Sequence, residues 1–89
     1  MKTYSLNNLI IKGLEPEMVN LITNEVLNIT LPIKDDYPNY KTWFVTKHLT
    51  GIGKDRDILF TVYKNQIVGI ANIKFSEQKI CTLYIRPGF

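Results

Sequence analysis

The 89-residue chain contains a single cysteine, Cys81, a single histidine, His48, and a single tryptophan, Trp43. One cysteine excludes an intrachain disulfide and any zinc site built from cysteines. No apolar run approaches the length of a membrane span, and Met1-Lys2-Thr3-Tyr4-Ser5 lacks the apolar core of a secretory signal. A cytoplasmic location and no membrane partner are therefore expected. Blocks of like charge are missing too: the formal charge of +3 arises from 11 basic and 8 acidic residues scattered along the sequence. That scatter argues against a dedicated nucleic-acid arm, whereas a weak basic bias also suits a small anionic ligand. The length allows one domain, residues 1–89, and no second core.

What is present is concentrated in the last third. Ile58 to Tyr63 is rich in β-branched and aromatic residues, and Lys64-Asn65 begins a turn. Gln66 to Phe75 reads as a second strand, Ser76-Glu77-Gln78 as a break, and Lys79 to Arg86 as a third strand. Simple alternation sets Ile67, Ala71, Ile73 and Phe75 against Val68 and Ile70, and Ile80, Thr82 and Tyr84 against Cys81, Leu83 and Ile85. Both faces are apolar, which predicts a covering layer on each side of the meander. Gly69 inside the central strand marks a bulge or the close approach of another group.

Upstream, Leu9 to Lys12 reads as a strand after a kink at Asn7-Asn8, ended by Gly13. Pro16 suits the first turn of a helix, whose apolar stripe would be Met18, Ile22, Val26 and Ile29. Thr30-Leu31-Pro32 ends it. A second helix is expected from about Pro38 to Leu49, with Tyr40, Trp43 and Phe44 as an aromatic stripe, stopped by Gly51 and Gly53. The expected class is α+β: strand, helix, helix, then a three-stranded antiparallel meander.

The run N-x-I-V-G-I-A-x-I-K followed by K-I-C-T-L-Y-I-x-P resembles the middle of the GNAT superfamily of N-acetyltransferases. Trp43 with Lys47, Arg56 with Ile58, and Lys79 to Leu83 resemble a bacterial subset of that family. The element order is that of the first half of its fold, so the resemblance covers nearly the whole chain. It implies acetyl transfer from acetyl-CoA to an amine in the complete enzyme. It also implies that Leu83, Tyr84 and Ile85 line the pantetheine arm through their backbones. In the family an R/Q-x-x-G-x-G/A loop follows that strand and binds the pyrophosphate, and a later tyrosine is the general acid. Neither occurs by Phe89. The expectation is an amino-terminal half, either truncated or a fragment, and inactive alone; whether another chain supplies the complementing half is left open.

The other chemistry-bearing residues read blandly, and catalytic residues are left unassigned. Gly51-Ile52-Gly53-Lys54 neither follows a strand nor opens a helix, so it fails as a phosphate loop. Tyr63 and Tyr84 read as strand packing, Cys81 as a small buried hydrophobe, and His48 as a surface or helix-end residue. Asp35, Asp36, Asp55 and Asp57 read as solvated loop charges, and Tyr40 and Trp43 as core or the wall of an acceptor site. The alternative function is a small non-catalytic binding or oligomerisation domain. A two-fold homodimer through the last strand and an apolar sheet face is expected, because two helices on short loops cover only one side.

Overall fold

A computed structural model describes residues 1–89. It is an α+β domain whose four-stranded antiparallel sheet has the order β1-β2-β3-β4. The strands are β1 (Lys2–Ser5), β2 (Arg56–Tyr63), β3 (Gln66–Lys74) and β4 (Lys79–Ile85). Between β1 and β2 run α1 (Leu6–Ile11), α2 (Pro16–Thr30), a 3₁₀ turn at Pro32–Lys34, and α3. Helix α3 begins at Tyr40–Trp43, widens into a π-helical turn over Phe44–His48 and tightens to 3₁₀ at Leu49–Gly51. No helix is long and apolar enough to cross a membrane.

The first strand lies earlier than its sequence suggests: Lys2–Ser5 forms β1, and Leu9 to Ile11 is helical. Ser5 explains the shift. Its extended backbone ends the strand, and its Oγ accepts the Asn8 N–H at 3.1 Å. Asp57 Oδ1 accepts the neighbouring Asn7 N–H at 3.0 Å, so two free donors at the helix start are satisfied. Leu6 is then buried and Leu9 packs beside it, one turn on, while Ile10 and Ile11 face solvent. Asp57 is 5% exposed and also bonds Ser5 Oγ, so it is a buried anchor rather than a solvated loop charge.

Helix α2 starts at Pro16, whose missing N–H costs nothing there. Val26 is at the centre of its buried face and Met18 is exposed; Val19 takes Met18's place against the core. The hairpin β2–β3 turns on Lys64 and Asn65, both with positive φ (50° and 62°), the signature of a tight two-residue turn matched to strand twist.

Two bulges break the simple alternation of side chains. The register jumps from Thr61↔Gly69 to Val62↔Ile67, leaving Val68 as the extra residue, and from Asn72↔Thr82 to Ile73↔Ile80, leaving Cys81 as the extra one. The first bulge turns Ile67 to the same side as Ile70; the second sends Ile80 to the side opposite Thr82. The core is Leu6, Val26, Tyr40, Phe44, Ile58, Phe60 and Ile70, all on the helical side. Rather than two covered faces there is one. On the other, Leu59–Ala71–Leu83 and Thr61–Gly69–Ile85 form cross-strand rows outside the core, with Leu83 and Ile85 each 60% exposed.

Candidate functional site

Two features of the helical side and its edge offer chemistry. The first is a cavity of about 290 Å³ between α3, the Pro32–Lys34 turn and the end of the sheet where β2 begins. The register sets one wall: Arg56 pairs with Lys74 on β3, and Lys74 pairs with Lys79 on β4. Directly paired residues share a face, so three cations stand in one row. Lys34 closes the cavity from the helical layer, its Nζ donating to the Cys81 carbonyl at 3.2 Å. Tyr37, Tyr40 and Trp43 form the aromatic wall, and Cys81, Thr82 and Glu77 complete the lining.

Arg56 is held in place without a carboxylate. Its guanidinium lies 5.6 Å from the Trp43 ring centre, and Nη1 is 3.4 Å from His48 Nδ1 and 3.8 Å from Cys81 Sγ. The single ion pair in the structure is Lys74–Glu77, at 3.2 Å. Gly51 makes room for the stem of Arg56: a Cβ there would lie 2.9 Å from Arg56 Cδ. The π-helical turn brings Trp43 and His48, five residues apart, into a stack at 5.3 Å. His48 is fully buried, contrary to a surface or helix-end role. Burial first, then the charge of Arg56, pushes its pKa down to about 4, so the ring is neutral. Nδ1 accepts from Arg56, and Nε2 has no partner.

Behind the aromatic wall, the Tyr40 hydroxyl donates to Thr30 Oγ1 at 3.0 Å and receives Asn72 Nδ2 at 3.4 Å, with Thr82 Oγ1 at the same distance. Tyr40 is thus core and cavity wall together. Cys81 is half-buried at its bulge, in the cavity lining rather than the core. Tyr63 packs edge-on to Phe89 at 5.3 Å, away from the cavity. Asp55 is neither free nor idle: it accepts both the N–H and Oγ of Ser76, at 2.8 and 2.7 Å, and these bonds hold its carboxyl below the usual range.

The second feature is the free edge of β4. Arg86 N–H donates to Val68 O at 2.8 Å, and antiparallel alternation then turns the peptide groups of Tyr84 and Thr82 toward β3. Those of Leu83 and Ile85 point outward. Of the three residues implied to line a pantetheine arm, two offer open backbone groups and Tyr84 does not. The β4 bulge is two residues before Leu83, at Cys81.

The cluster of cations was missed in sequence because Lys34, Arg56 and the Lys74–Lys79 pair are far apart in the chain. One signal was available: Lys74 and Lys79 flank the turn symmetrically, so a hairpin pairs them. Lys47, one of the subset residues, is exposed and outside the cavity, whereas Trp43, Arg56, Lys79 and Cys81 converge on it. Comparison with family models, curated proteins and solved structures finds no match to this chain.

Proposed function

We propose that residues 1–89 are the amino-terminal portion of a GNAT N-acetyltransferase, the complete enzyme moving an acetyl group from acetyl-CoA to an amine. The observation that carries this reading is the outward peptide edge at Leu83 and Ile85, on the strand that ends two residues before Pro87. An extended pantetheine arm pairs with such an edge as an added strand would. A fixed backbone N–H beside the thioester stabilises charge as it develops on the carbonyl oxygen.

Residues 1–89 hold no glycine-rich nest of amides for the pyrophosphate, and the reading assigns that role to a complementing carboxy-terminal half. The 89-residue chain alone should therefore be inactive. Calorimetric titration with acetyl-CoA at physiological ionic strength, which screens the cations of the cavity, should give a Kd no tighter than about 1 mM. Micromolar binding would contradict the division of labour.

A second reading is a small non-catalytic domain that works as a homodimer. The bare face around Leu59, Ala71, Leu83 and Ile85 and the open β4 edge favour it. A two-fold copy offers the same edge and the same face, and so covers both. Sedimentation at micromolar concentration should then report about twice 10.3 kDa, and Leu83→Lys should return it to the monomer mass. A wild-type chain that sediments as a stable monomer contradicts this reading.

A further inference from the structure

We infer that the cavity between α3 and the sheet end binds a small multiply charged anion, a molecule carrying several carboxylates or a phosphate group. This stands apart from the acetyltransferase reading, which concerns the β4 edge.

Charge is the first argument. The lining has four cations and one carboxylate, a surplus of three. That equals the net charge of the whole chain, +3, although the basic residues are dispersed in sequence. Cross-strand geometry is the second. Like charges directly opposite one another destabilise a sheet, and here Arg56, Lys74 and Lys79 stand opposite in succession across three strands. Glu77 pairs with Lys74 alone, and Asp55, tied to Ser76, feels the charges of Lys74 and Arg56 without pairing with either. An anion in the cavity relieves the repulsion, and each cation in turn donates charge-assisted hydrogen bonds.

Preorganisation is the third argument. The Arg56 guanidinium lies against Trp43, is steadied by His48 Nδ1, has no acidic partner, and passes Gly51 where a larger residue would displace it. Its planar fork is suited to two oxygens of one carboxylate or phosphate. Neutral His48 accepts from Arg56 and so leaves the guanidinium charge undiminished. A cavity of about 290 Å³ is at the small end of ligand sites, which suits a compact metabolite-sized anion.

The test uses the 89-residue chain at low ionic strength, titrated calorimetrically with citrate, inorganic phosphate and acetate, with chloride matched throughout. Citrate or phosphate should bind with a Kd below about 1 mM, and acetate should bind at least 10-fold more weakly. Tighter citrate than phosphate assigns the site to polycarboxylates; the reverse assigns it to phosphate groups. Arg56→Gln should weaken binding at least 10-fold, and Lys79→Gln, on an exposed side chain, several-fold with the circular dichroism spectrum unchanged. Lys12→Gln, at the far end of α1, should leave it unaltered. If Arg56→Gln does not fold, Lys79→Gln and Lys34→Gln decide. Binding no tighter than acetate, or binding weakened equally by Lys12→Gln, overturns the inference. Because acetyl-CoA is not used, the outcome is independent of the β4 edge.

Discussion

His48 packs 5.3 Å from the Trp43 ring and 5.9 Å from the Phe44 ring, both centre to centre, and its Nε2 is buried without a hydrogen-bond partner. Its pKa is about 4 in the folded chain against an ordinary 6.5. Between those values the unfolded chain binds the extra proton, so stability is greatest above pH 6.5 and falls as pH drops toward 4. Urea unfolding at pH 7 and pH 5 should differ by about 2 kcal/mol, and His48→Phe should remove most of the difference. An unchanged pH dependence in the variant would show that His48 is not the titrating group. Nothing in the sequence around His48 announced its burial, since the i to i+5 stack depends on a π-helical turn that ordinary helix periodicity does not anticipate. Asp57 was hidden for a related reason. It sits in the charged run Lys54-Asp55-Arg56-Asp57, and only the return of β1 beside β2 brings Ser5 and Asn7 to it.

At the scale of elements, the meander was legible almost to the residue, because β-branched runs and turn residues set its boundaries. The two bulges were not legible, and they decide which residues face the core. Gly69 illustrates the difference. It follows the bulge residue Val68, and a Cβ there would meet Thr61 at 3.5 Å, an ordinary contact. The glycine therefore reflects the bulge rather than a close approach of another group, and its φ is not in the left-handed region. Gly69→Ala should leave the fold intact and raise stability by about 0.4–1 kcal/mol, mainly by restricting the unfolded chain. A melting temperature lowered by several degrees would mean the strand needs a backbone only glycine allows. Helix α2 was legible from Pro16 and its apolar stripe, while β1 was not. Four residues with Lys2 and Thr3 among them give too little pattern, and the pairing with Leu59 to Val62 is what makes them a strand.

The whole molecule is a one-sided sheet: helices on one face, cross-strand apolar rows on the other, and an unpaired edge at β4. The one-sidedness was foreshadowed by the small number of helices. The cationic cavity was invisible in sequence because its four basic residues come from one turn and three strands. The central proposal is that the β4 edge, at Leu83 and Ile85, receives the pantetheine arm of acetyl-CoA. Amide chemical shifts of isotopically labelled chain test it most directly, recorded with excess acetyl-CoA at a protein concentration where sedimentation finds monomer. Weak, saturable shifts are expected, largest at the amides of Leu83 and Ile85. Shifts confined to Arg56, Lys74 and Lys79 would place the phosphates in the cationic cavity instead, and would contradict it.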